Sequence, residues 1–174
     1  MNATRLIDLL ARGADDAPAL RAPGASVLTH GELRRLVAAT VEALNRAGIG
    51  RGDRVAIVLP NGPEMATAFL AIASVATAAP LNPSYREEEF RFYLDDLNAK
   101  ALITREGGAP AAHAAAGAEV ARLVLDGEFG SLNLVAEGST PAAATPVGAE
   151  PDDVALVLHT SGTTSRPKIV PLRQ

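Results

Sequence analysis

The chain has 174 residues, 48% hydrophobic and 21% charged, which is enough to bury one core and too little for two large ones. Sixteen basic against twenty acidic residues give a net charge of −4 with neither sign gathered into a block, which argues against a nucleic-acid partner held through its phosphates. Cysteine is absent, so a disulfide framework, a thiol nucleophile and a cysteine metal site are excluded, and a reducing, cytoplasmic setting is expected.

In chain order, the apolar stretch Leu6 to Leu10 is interrupted by Asp8 and is too short for a signal peptide. Thr29 to Glu32 has the spacing of a capping box, so a helix is expected to start there. Leu33, Leu36, Val37, Val41 and Leu44 fall on its buried face, and Gly48 stands where a left-handed residue would close it. Gly50 to Asp53 make a turn, and Arg54 to Leu59 is a β-branched run suited to a strand buried on both faces.

Asn61, Gly62 and Pro63 announce a second helix, expected from about Glu64 to Ala78 and broken by Pro80-Leu-Asn-Pro83. The weakly polar run Met65 to Leu81 is read as this buried helix and not as an integral membrane segment. Ser84 to Glu87 offers another capping box for a helix over Tyr85 to Leu97, with Phe90, Tyr93, Leu94 and Leu97 on one face. Further strands are expected at Lys100 to Thr104, Ala121 to Leu125 and Val154 to Leu158, with a helix or loop over Ala109 to Ala118. The alternation predicts an α/β fold, a layered sheet with helices packed on it. Residues 128–151, rich in Gly, Ser, Thr, Pro and Ala, read as a flexible connection.

Chemical content is concentrated in His159-Thr-Ser-Gly-Thr-Thr-Ser-Arg-Pro-Lys168, directly after the last expected strand. Five hydroxyl side chains, a glycine that permits close approach and a lysine can converge on one anion, and a polyphosphate is the natural guest. Pro167 before the lysine and Ile169 after it exclude a Walker A loop, and no GxGxxG follows any expected strand. A Ser/Thr-rich surface loop without chemistry is the plain alternative. Arg166 is assigned to solvent. His159 faces a pocket or packs with one nitrogen satisfied, and the second is the ordinary case. His30 and His113 are expected at the surface. Glu87, Glu88 and Glu89 complement a helix dipole, and Asp95-Asp96 and Asp152-Asp153 read as solvated, so no metal site is assigned.

Thr160-Ser-Gly-Thr-Thr-Ser-Arg-Pro-Lys168 resembles the phosphate-loop signature of the adenylate-forming superfamily, which includes acyl-CoA synthetases, luciferases and peptide-synthetase adenylation domains. Leu28-Thr-His-Gly-Glu-Leu33, Gly52-Asp-Arg-Val-Ala56, Leu59-Pro-Asn-Gly-Pro-Glu64 and Pro80-Leu-Asn-Pro83 look like successive landmarks of the same family. Two positions depart from its commonest pattern: Ser165 replaces a usual glycine, and Ile169 replaces a glycine that often follows the lysine. Ser165-Arg-Pro-Lys168 resembles the branch that contains oxalate–CoA ligases.

The resemblance implies carboxylate adenylation by ATP with Mg²⁺, then thioester formation with coenzyme A. On that basis Thr160, Ser161, Gly162, Thr163 and Thr164 are expected to cradle the nucleotide's phosphates, with Lys168 as both binding cation and catalytic residue. A fatty acid is the first-choice substrate among small carboxylic acids, with oxalate or another short dicarboxylate second. The family builds the rest of its site from later sequence, so residues 1–174 are expected to be the first part of the large N-terminal domain, without the C-terminal domain and without turnover of their own. An apolar face left open by such a cut would favour self-association. A non-catalytic binding or assembly module is the alternative from a different class.

Overall fold

The computed structural model describes residues 4–25, 27–127, 133–137, 148–160 and 167–174. After the short helix α1 (Leu6–Leu10), strands β1 (Pro18–Leu20) and β2 (Leu28–Thr29) pair antiparallel in a small sheet. Helix α2 (His30–Arg46) opens on the expected capping box: Glu32 N–H donates to Thr29 Oγ1 (3.3 Å) and Thr29 N–H donates to Glu32 Oε2 (2.8 Å). That bond from the Thr29 backbone holds the Glu32 carboxyl below its ordinary range. The helix closes with Gly48 at φ 75°, where Ile49 N–H reaches Leu44 O and Gly48 N–H reaches Asn45 O, both at 3.0 Å. Leu44 and Ile49 are both fully buried, so this Schellman closure also seals a core contact.

The main sheet follows from β3 (Arg54–Val58), β4 (Thr77–Pro80), β5 (Ala101–Arg105), β6 (Ala121–Asp126), β7 (Asn133–Glu137), β8 (Val154–Thr160) and β9 (Lys168–Arg173). Its order is β7-β6-β5-β3-β4-β8-β9. The five inner strands are parallel, whereas β7 and β9 pair antiparallel at the two edges. Helices α3 (Pro63–Ala73), α4 (Glu87–Leu97) and α5 (Pro110–Ala115) supply the crossovers.

Alternate residues of the strands sort into two cores. Val55, Ile57, Ala78 and Ile103 pack with α2 and α3, while Ala56, Val58, Ala79 and Leu102 pack with α4 and α5. This arrangement is the expected layered α/β sheet, with the central strands buried on both faces.

Three local expectations change. Helix α3 ends at Ala73, and Thr77–Pro80 is a strand instead of the helix's last turn. Thr77 Oγ1 donates to Val154 O (2.8 Å) and Thr77 N–H to Asp53 O (2.8 Å), so ladder pairing outweighs the helix preference of alanine. The second capping box lies two residues later than Ser84–Glu87. Asn82 accepts from Ser84 N–H through its side chain (3.0 Å) and from Tyr85 N–H through its carbonyl (3.1 Å), which commits both residues to a turn. Arg86 N–H then donates to Glu89 Oε2 (2.9 Å) as α4 begins. Inside the connection expected over 128–151, Asn133–Glu137 forms the edge strand β7 against β6. Its alternating exposure fits an edge covered on one face.

His30 and His113 are half-buried, not surface residues. The His30 ring lies where a Cβ on Gly13 would approach it to 2.7 Å, and His113 Nε2 meets the buried Thr104 hydroxyl at 2.8 Å.

At the amino ends of the strands, Arg51 pairs with Asp153 (2.7 Å) and Glu150 (3.0 Å). The Arg51 guanidinium, followed by the Glu150 backbone N–H, holds the Asp153 carboxyl below its usual range despite partial desolvation. A depressed carboxyl contributes stability above its unfolded value, about 3.9, and loses that contribution as pH falls through the lower folded value. Asp153→Asn should therefore lower the thermal midpoint at pH 7, and its difference from the parent should shrink below about pH 4 in a pH series of melts. Phe90 is fully buried between α4 and the sheet. Phe90→Ala should cost about 3–5 kcal/mol in denaturant unfolding, by lost burial and a residual cavity.

Candidate phosphate-binding hairpin

Strand β8 runs two residues further than expected, through His159 and Thr160, and so carries the chain to the carboxyl edge of the parallel sheet. Ligands in open α/β sheets are bound at that edge. β9 returns antiparallel from Lys168, with Thr160 opposite Lys168, His159 opposite Ile169 and Leu158 opposite Val170. The first and last residues of the expected phosphate-binding segment thus face each other across the neck of a hairpin, and both are exposed. Ser161, Gly162, Thr163 and Thr164, with Ser165 and Arg166, lie outside the described residues.

The pleat divides this neck into two faces. Thr160 and Lys168 share a face with Leu158 and Val170, which are 38% and 36% exposed. His159 and Ile169 take the other face, toward α4, where Ile169 packs against the core of Phe90 and Leu94. Ile169 in place of a glycine is accordingly a strand residue with a β-branched side chain in a strand position, and no positive φ is demanded of it. Pro171 lies on the edge strand, where a missing N–H costs no ladder bond.

Sequence reasoning missed what holds this neck from below. The His159 side chain is only 5% exposed, its Nε2 is 3.1 Å from Asp96 Oδ2, and its ring meets Tyr93 edge-on at 4.6 Å. Tyr93 stacks on Tyr85 at 4.9 Å. A hydrogen bond with the Tyr85 phenol, burial, and the Glu89 and Asp96 carboxylates push the Tyr93 phenol up to about 12, so it remains neutral at working pH. Asp96, read as solvated, is therefore engaged. The only local signal was that Tyr93 and Asp96 stand three residues apart on one helix face.

A cavity of about 410 Å³ near Arg51, Thr77 and Asp153 lies toward the amino ends of β4 and β8 and extends to Val157, Ile169 and Pro171 on the two strands of the hairpin, with Arg51 and Asp153 in it paired to each other. Among the described residues no three carboxylates or imidazoles come together to hold a metal ion.

Comparison with known proteins agrees with this geometry. The family description "AMP-binding enzyme" matches residues 8–174. An oxalate–CoA ligase of Arabidopsis thaliana is 44% identical over 176 residues, covering 97% of this chain and 34% of that protein. A long-chain-fatty-acid–CoA ligase of Mycobacterium tuberculosis is 33% identical over 144 residues, covering 81% of this chain and 28% of that protein. The crystal structure of ATP-bound MatB from Rhodopseudomonas palustris superposes with a TM-score of 0.72 at 26% identity, covering 98% of this chain and 35% of that one. The chain spans about a third of the length of these relatives. With that match, a parallel sheet and a hairpin bracketed by Thr160 and Lys168 at its carboxyl edge, the chain belongs to the AMP-binding enzyme family.

Proposed function

We propose that these residues supply the phosphate-binding hairpin of an AMP-forming acid–CoA ligase. In that reaction a carboxylate oxygen attacks the α-phosphorus of ATP, pyrophosphate leaves, and the thiol of coenzyme A then displaces AMP from the acyl-adenylate. The observation that carries the reading is the opposition of Thr160 and Lys168 at the carboxyl edge of a parallel strand, bracketing a run of hydroxyls and a glycine. Negative charge accumulates on the departing pyrophosphate. Thr160, Ser161, Gly162, Thr163 and Thr164 would donate hydrogen bonds to its oxygens, and the Lys168 ammonium would oppose the developing charge. The ATP-bound relative of similar fold and the ligases of related sequence support this assignment.

For the acid, the breadth of the family and 33% identity to a long-chain-fatty-acid–CoA ligase support a fatty acid. The higher identity to an oxalate–CoA ligase, 44%, together with Ser165-Arg-Pro-Lys168, favours a short dicarboxylate, and we take that as the substrate class to test first. No helix among the described residues is long and apolar enough to cross a membrane. A cytoplasmic location belongs to the same proposal and rests on the lack of cysteine.

The test is ATP–pyrophosphate exchange on the product of the complete reading frame, with oxalate, other short dicarboxylates and fatty acids compared. Exchange dependent on one acid class is expected, while silence with all of them would shift the assignment to a binding module. In the active protein, Lys168→Ala should slow exchange on the order of a hundredfold and leave the KM for the acid nearly unchanged. An unaltered rate would remove the role given to Lys168.

A further inference from the structure

The end of β8 has little lateral support from the sheet. Its registered pairing to β4 is Ala78 with Leu156, two residues short of Leu158. Beyond that point β4 ends in Pro80, which has no N–H to donate, and Leu81 N–H turns back to Ile57 O on β3 (2.9 Å). Among the described residues, the last three of β8 therefore keep ladder bonds only to the edge strand β9. What they gain instead is a side-chain tie. His159, one residue before Thr160, lies under α4 with its ring against Tyr93 and its Nε2 on Asp96. Helix α4 is itself fixed by Phe90, Leu94 and Leu97, all buried.

We propose that Asp96 and Tyr93 are positioning residues for the phosphate-binding hairpin, acting through His159 to set the direction in which β8 leaves the sheet and so the placement of Thr160 opposite Lys168. The proposal rests on the reading of the hairpin as a phosphate site and adds residues that touch no substrate. The hydrogen bond needs only a donor on Nε2, which a neutral or a protonated imidazole can supply, and a carboxyl or amide oxygen at position 96 to receive it. The Tyr93 ring supplies the flat surface that fixes the imidazole plane.

The experiment compares Asp96→Ala with Asp96→Asn in the product of the complete reading frame. Asparagine keeps an acceptor oxygen, whereas alanine does not. Two quantities are read: hydrogen exchange of the Val157–Thr160 amides, which reports the strand end directly, and the kinetics of ATP–pyrophosphate exchange. Asp96→Ala is expected to speed exchange at those amides and not in β3 or β5. It should also lower kcat about tenfold or more with the KM for the acid unchanged, as misplacement of a positioned group does. Asp96→Asn should restore both to within about twofold. Unchanged amide protection in Asp96→Ala would overturn the tie whatever the activity. Loosened amides with unaltered kinetics would overturn the positioning role, and so would a kcat loss that asparagine does not rescue. A parent protein without exchange activity toward any acid would instead overturn the ligase reading, and the amide measurement would still decide whether the tie holds the strand.

Discussion

Backbone pairing of β4 between β3 and β8 is the constraint on which the carboxyl edge of the sheet depends. Ala78 and Ala79 have almost no side chain to anchor them, so the strand is held by its ladder and by Thr77, whose hydroxyl and N–H bind the neighbouring backbones on either side. Small side chains at the centre let the flanking helices approach both faces, and they divide the interior into two cores. Because β4 is short, it guides β8 only over its first half. The end of β8, which leads into the proposed phosphate-binding segment, then leaves the sheet between β9 on one side and α4 below.

The hairpin joins elements of unlike character. Its first strand is part of a parallel, doubly covered sheet, and its second is an exposed edge strand. The far end of β9 is fastened by Gln174, whose side chain accepts from Leu6 N–H (3.0 Å) and donates to Ala73 O (2.7 Å). The near end depends on His159, Ile169 and their packing on α4. The two ends of the proposed phosphate-binding segment are thus held by separate contacts, which is what electrostatic preorganisation asks of a site.

Much of this was legible in the residues. The Thr29–Glu32 box and the β-branched strands are local patterns with local causes, and they emerged where expected. Thr77–Pro80 was not legible, because alanine prefers a helix and only the neighbouring strands reverse that preference. The shift of the α4 cap was obscured by Asn82, which captures Ser84 and Tyr85 in a turn before either can cap. Asp96 and His159 are sixty-three residues apart, and nothing in either local pattern announces that they meet. Ile169 looked anomalous beside a lysine until β9 made it an ordinary strand residue facing a core.

The alternation of faces at the hairpin neck gives the segment a parity. Lys168 points to the open side and Ile169 to α4 only because the pairing with β8 is in this register. Slipping β9 by a single residue would exchange the two, placing an ammonium against the aromatic cluster and an isoleucine where the charge belongs. Changes of length between residues 168 and 173 are thus far more damaging than substitutions are, because an odd insertion turns every later side chain of β9 to the opposite face.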